Sequence, residues 1–150
     1  MSSGESVLDD AALEAGDDVL VVGGDAELVF GAHGRVGDGW VYAIDDVDAL
    51  EELLRAAHAQ GIAGVAYLVG GADVLPLPDA SVTAILGSPL AGAADPAEAA
   101  RELYRVLRAG GHLSVAGGDE AAEAALRSAG FADLARVRSD AARRLTARKP

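Results

Sequence analysis

The sequence predicts an α/β domain: a doubly wound sheet of seven strands, mostly parallel with an antiparallel last strand, and helices on its faces. Apolar runs of strand length alternate with segments of helical period along nearly the whole chain, as in a parallel sheet whose crossovers are helices. The run DVLVV (Asp18 to Val22) is apolar without alternation, as a central strand covered on both faces requires; a strand with one wet face would alternate. At 150 residues, with no cysteine, the chain reads as one domain (1–150) able to bury its own core.

In order, Val7 to Ala15 has the period of a first helix, stopped at Gly16-Asp17. The strand Asp18 to Val22 leads into a short helix from about Asp25 to Ala32, with Asp25 as N-cap and Gly31 and Gly34 limiting its length. Trp40 to Ile44 is the second strand. Val47 to Gln60 is the best helix, with acids Asp48, Glu51 and Glu52 early, where the macrodipole favours them, Asp48 as its N-cap and Gly61 as its stop. Gly64 to Val69 is the third strand and Ser81 to Gly87 the fourth, after a loop punctuated by prolines. Pro96 opens a helix expected to reach Arg108, with Ala109-Gly110-Gly111 as its C-cap. His112 to Gly117 is the fifth strand, and Glu120 to Ala129 a helix closed by Gly130. Two final strands, within FADLARVRS and RRLTARKP, form the expected antiparallel pair.

Charge and composition exclude several classes. The net charge of −12 is divided as −16 over the first hundred residues and +4 over the last fifty, so most of the surface repels nucleic acid. The Arg-rich end, Arg136 to Lys149, reads as solvated positions on the terminal strands. Without cysteine there is no disulfide framework, thiolate nucleophile or cysteine metal site. No run approaches the roughly 18 apolar residues of a membrane span, and MSSGESVLDD lacks the basic-then-apolar order of a secretion signal. A cytoplasmic protein with no membrane partner is expected. His33, His58 and His112 share no ligand spacing, so no metal site is expected. Phe30, Trp40, Tyr42, Tyr67, Tyr104 and Phe131 are spaced as core anchors.

Two motifs go further: LPLPDASVTAIL (Leu75 to Leu86) and ELYRVLRAGGHLSVAG (Glu102 to Gly117), spaced as one strand-helix-strand unit. Together they resemble the second half of the class I S-adenosylmethionine-dependent methyltransferases, in the type 11-like branch reading LPFPDxSFDVV and then E-x-x-RVLRPGG. The resemblance implies the Rossmann-like form of the predicted sheet. It also implies a ligand beyond the carboxyl ends of the strands, near the switch between the first and fourth.

Carried onto this chain, the resemblance matches in part. The family's D-x-G-x-G-x-G becomes V-V-G-G-D-A-E (Val21 to Glu27): Val21 replaces the acid, Gly23 keeps one glycine, and Asp25 and Glu27 replace the others. The ribose-holding acid after the second strand is matched by Asp45, whose two acceptor oxygens suit two vicinal hydroxyls. Asp46 follows where an apolar residue usually packs on adenine. After the third strand Gly71 replaces the adenine-reading acid, while Ala72 can offer its backbone amide and Asp73 can reach in. Ser88 lies beyond the fourth strand, and no general base is identifiable.

The implied cofactor site is therefore Gly23, Asp45, Ala72, Asp73 and Ser88, with the catalytic residues unknown. Two functions follow. In the first, acids at the glycine turn weaken or abolish cofactor binding, and the domain acts as a binding or scaffold module with no cofactor. In the second, it is an active S-adenosylmethionine-dependent methyltransferase on a small molecule, a homodimer or protein partner closing its site.

Overall fold

In a computed structural model, Leu8 and residues 12–90, 93–116, 119–139 and 142–150 are described. Their elements run β1 (Val19–Val22), α1 (Ala26–Val36), β2 (Val41–Asp45), α2 (Val47–Gln60), β3 (Val65–Val69), β4 (Val82–Gly87), α3 (Pro96–Val106), β5 (Leu107–Ala116), α4 (Glu120–Ala129), β6 (Ala132–Ser139) and β7 (Ala142–Arg148). All seven strands join one sheet in the order β3-β2-β1-β4-β5-β7-β6. The β1–β2, β2–β3, β1–β4 and β4–β5 pairs are parallel, whereas β7 runs antiparallel to both β5 and β6.

The pleat of the central strands divides the core in two. Val19, Val21, Val41, Ala43, Ala84 and Leu86 pack with Leu28, Val29 and Ala32 of α1 and Leu50 and Leu53 of α2. Leu20, Val22, Ile44, Ile85, Leu113 and Val115 face Leu103 and Val106 of α3 and Leu126 of α4. Both faces of β1 are covered, which is why its sequence is apolar at every position.

Some boundaries differ from expectation. Leu8 is helical and buried, but residues 12–16 are turn and irregular, so the first helix does not reach Ala15; residues 1–7 and 9–11 lie outside the described set. Helix α1 passes through Gly31 and Gly34 to Val36. A Cβ on Gly31 would stand 2.4 Å from Leu8 Cδ1, so the glycine admits a close neighbour instead of ending the helix. At α2 the N-cap is Asp46, whose carboxylate accepts from the Ala49 amide at 2.8 Å, not Asp48.

The largest difference is at α3, which ends at Val106. Leu107 is already extended (φ −80°, ψ 134°) and fully buried, so no Ala-Gly-Gly cap intervenes and β5 begins at once. The carbonyls at this end are satisfied by residues distant in sequence: the Ala80 and Ser81 amides donate to the Arg105 and Val106 carbonyls at 2.9 and 2.7 Å, and Lys149 Nζ donates to the Tyr104 and Leu107 carbonyls, each at 2.8 Å, and lies 4.4 Å from the Tyr104 ring centroid. The glycines fall where β5 shifts register against β4 between Val82 and Ala84, with Gly110 at φ +84°. Tyr104 and Phe131 meet edge to face at 5.2 Å as core anchors, but Trp40 does not: it is 57% exposed and stacks on Tyr42 at 6.3 Å. Arg144, expected to be solvated, is buried on β7.

Candidate functional site

The strand order reverses between β1 and β4, and there the backbones come very close. A Cβ on Gly87 would lie 2.1 Å from the Val22 carbonyl oxygen, and Gly87 has φ +103°, so only glycine fits. That approach lets the Ser88 amide donate to the Val22 carbonyl at 2.7 Å, tying the loops after β1 and β4 together. Gly23 has φ +66°, and its amide donates to the Ile44 carbonyl at 3.0 Å. A Cβ there would find only the Ser88 carbonyl, at 3.9 Å, so the space above this glycine is open.

The next residues turn away from that space. The Asp25 carboxylate accepts from the Leu28 amide at 2.9 Å and caps α1. At the end of β2, Asp45 Oδ1 accepts from the Asp46 amide at 2.8 Å, and Asp46 is itself occupied capping α2. The Asp45 carbonyl accepts from the Gly70 amide at 3.1 Å, which draws the turn after β3 alongside. Gly71 and Val74 form an isolated bridge there, with Ala72 buried beneath and Asp73 exposed.

A clamp holds that turn from below. Arg105 of α3 donates through Nε to Glu102 at 2.6 Å, through Nη1 to the Leu77 carbonyl and Asp79 at 2.8 Å each, and through Nη2 to the Leu75 carbonyl at 3.0 Å. Glu102 closes the loop by accepting from the Leu75 amide at 2.9 Å. Hydrogen bonding to Arg105 holds the Glu102 carboxyl below the usual carboxylate range, against the opposing effect of its burial, and the same bonds raise the guanidinium further above its ordinary value. The two sequence motifs are thus one unit, in which the second fixes the path of the first.

These loops enclose a cleft of about 240 Å³ lined by Val22, Gly23, Ile44, Asp45, Gly70 to Asp73, Ser88, Pro89, Ala93 and Ala94. All five residues expected from the sequence, Gly23, Asp45, Ala72, Asp73 and Ser88, lie on its wall. Asp25 and Glu27 are not on it; the Asp25 carboxylate stands at the amino end of α1 as its cap. Among the described residues no histidine, tyrosine, lysine or cysteine lines it. Two larger hollows, of about 500 and 380 Å³, lie beside β5, β6 and β7 and at the amino ends of β1 and β4. Both miss the carboxyl ends of the parallel strands, where doubly wound sheets bind ligands. Thr83 belongs to that amino end: its hydroxyl donates to Asp17 Oδ1 at 3.2 Å and accepts from the Asp18 amide at 3.1 Å.

Among the described residues no cluster could hold a metal ion, and no helix is long and apolar enough to cross a membrane. The role of Arg105 escaped sequence reasoning, although the Glu102-x-x-Arg105 spacing of an i, i+3 ion pair on one helix face is legible.

Comparison with known proteins agrees with this geometry. Residues 20–115 match the family model described as a methyltransferase domain. An uncharacterized methyltransferase of Mycobacterium tuberculosis (strain H37Rv) is 41% identical over 75 residues, half of this chain and 29% of the relative, so the match spans less than a third of that protein's length. A crystal structure of an S-adenosylmethionine-dependent methyltransferase from Aquifex aeolicus superposes with a TM-score of 0.83 at 23% identity, over 97% of this chain and 88% of the other. A Haloferax volcanii putative methyltransferase, in complex with the Trm112 methyltransferase activator, gives 0.80 at 18% identity over 99% and 89% of the two chains. At such identities these two likenesses are of fold alone. With the strand order, the closely apposed switch point and the match spanning β1 to β5, the chain belongs to the class I S-adenosylmethionine-dependent methyltransferase family.

Proposed function

We propose that this domain binds S-adenosylmethionine in the cleft between β1, β2 and β4, gripping it mainly by its nucleoside end, and that it serves methyl transfer to a small molecule. The observation that carries this reading is the cleft itself: it gathers Gly23, Asp45, Ala72, Asp73 and Ser88, while Asp25 is engaged in capping α1. The residues fit the group at that end. Asp45 spends Oδ1 on the Asp46 amide, leaving Oδ2 to accept from ribose. Ala72 supplies backbone to the adenine side, with Asp73 beside it, and open Gly23 lets main chain approach the methionyl part.

The methionyl end is held less well. A helix amino terminus attracts a carboxylate, but the Asp25 carboxylate already sits on that of α1 and screens it. Affinity is therefore weaker than a glycine-rich loop would confer. At about 240 Å³ the cleft is also slightly below the usual ligand-pocket range of roughly 300 Å³ upward. A second copy or a partner protein then supplies the remaining wall.

When bound, the cofactor supplies an electrophilic methyl group on sulfonium. What the chain's residues contribute is position and exclusion of water, which bring large rate gains without acid or base. With only Asp45, Asp73 and Ser88 as polar side chains among the described residues of the wall, the acceptor is a group already nucleophilic at neutral pH.

Calorimetric titration with S-adenosylhomocysteine tests the reading. Saturable one-to-one binding in the micromolar range, weakened at least about tenfold by Asp45→Ala with unchanged melting, is expected from loss of a charge-assisted contact. Absence of heat at millimolar ligand would leave the module without a cofactor, as the scaffold alternative holds.

A further inference from the structure

Strand β3 is an edge. It pairs with β2 on one side, and no described strand pairs with the other. Folded proteins protect such edges with charges, prolines or bulges. Here the eight residues Gly64 to Gly71 (GVAYLVGG) contain neither charge nor proline, and the pairing with β2 runs without a shift from Val65 to Val69.

The apolar character extends beyond the strand. Val69 is 63% exposed and Val74, just past the following turn, 72%. Val65 and Tyr67 pack with the core beneath α1 and α2, so the pleat puts Val69 on that same face. Register sets Val69 opposite Asp45, two residues before Val47, which is 52% exposed. Val47 and Leu54 are seven apart on α2 and occupy one flank of its buried stripe, whereas half-buried Ala49 and Ala56 occupy the other. Exposed Val69 and Val74 thus adjoin an unprotected strand edge, with Val47 and Leu54 also uncovered on one flank of α2.

Charge decides what could cover it. Asp46, Asp48, Glu51 and Glu52 surround the start of α2, and Asp73 follows β3, against Arg55 as the one Lys or Arg between residues 36 and 100. A second copy would bring the same acids face to face, which like-charge repulsion opposes. We propose that the outer edge of β3 docks an extended segment of a different protein, apolar at alternate positions and flanked by Lys or Arg, which adds to the sheet as a further strand. Backbone hydrogen bonds to β3 supply the pairing, the exposed valines receive alternate side chains, and the acids select the basic flanks. This rests on the edge alone and does not need the cleft to hold a cofactor.

The test uses a synthetic peptide of alternating valine and threonine with paired lysines at each end, and a second peptide with glutamates replacing the lysines, both followed by fluorescence anisotropy. The lysine peptide is expected to bind saturably, to weaken at least about tenfold at high salt as screening predicts, and to slow hydrogen exchange at Ala66 to Leu68; the glutamate peptide does not bind. Val69→Lys, at an exposed site, keeps the melting temperature and weakens the lysine peptide at least about tenfold. Val74→Lys gives the same loss and repeats the measurement if the first variant folds poorly. Equal binding of the two peptides, no binding, or variants that bind as tightly as the parent would overturn the proposal. So would a concentration-dependent dimer in sedimentation that Val69→Lys dissolves, since the edge would then pair with itself.

Discussion

Removing the guanidinium of Arg105 should damage both stability and the cleft, because one side chain fixes the whole path from Leu75 to Asp79. In Arg105→Ala the bond to Asp79 costs little, since that carboxylate is 80% exposed and water replaces the partner. The Leu75 and Leu77 carbonyls and the Glu102 carboxylate, whose side chain is 16% exposed, lose charge-assisted partners in a place water reaches poorly. Discounting for the 32% exposure of Arg105 itself, the loss is about 3 kcal/mol. For a chain of this length that corresponds to a fall in Tm of roughly 6–12 °C. Arg105→Lys can still meet Glu102 but cannot fork to both carbonyls, and should lose about half as much. The assay is calorimetric melting of the three proteins, followed by titration with S-adenosylhomocysteine at a temperature where each is folded. The turn bearing Ala72 and Asp73 loosens with the clamp, so affinity should fall by about tenfold in the Ala variant. A Tm within about 1 °C of the parent would refute the clamp, and a normal affinity despite the lost stability would refute its link to the cleft.

Further expectations concern single sites. Asp25→Ser keeps a side chain able to cap α1 but removes its charge: stability should stay within about 0.5 kcal/mol, while affinity for S-adenosylhomocysteine improves severalfold in calorimetry. Gly87→Ala forces a Cβ against the Val22 carbonyl at a backbone angle that suits glycine, and should cost more than about 3 kcal/mol in denaturant unfolding. The Glu102 carboxyl is depressed in the folded protein, so its stabilisation is fully present above its unfolded value of about 4.3 and is lost as pH falls through the lower folded value. Denaturant midpoints measured from neutral to acid pH should fall below about pH 4, more shallowly in Glu102→Gln.

Much of the fold was legible because its signals are local. Four consecutive buried residues in β1 need four apolar residues in sequence, and the α2 stop at Gly61, with φ +68°, needs a glycine. What stayed hidden depends on distant partners. Nothing within ELYRVLRAGG announces that the Ala80 and Ser81 amides and Lys149 will take the carbonyls where α3 ends, and so the glycines read as a cap when they serve a shift of strand register. Gly31 read as a helix limit because the close approach of Leu8 cannot be seen from the α1 segment alone. At the cleft, the positions of Gly23, Asp45, Ala72, Asp73 and Ser88 were readable from strand ends and the family motif. The direction in which Asp25 turns was not, because a carboxylate beside a helix start can serve the helix or the ligand, and only the bond to the Leu28 amide decides between them.

The most direct measurement is amide chemical-shift mapping of the isotope-labelled domain during titration with S-adenosylhomocysteine. The expected result is a contiguous set of shifts at Gly23, Asp45, Ala72, Asp73 and Ser88, saturating together and needing at least about tenfold more ligand in Asp45→Ala. Unmoved amides at those positions with ligand at millimolar concentration, or shifts confined to the hollows beside β5 and β7, would contradict the cleft as a cofactor site.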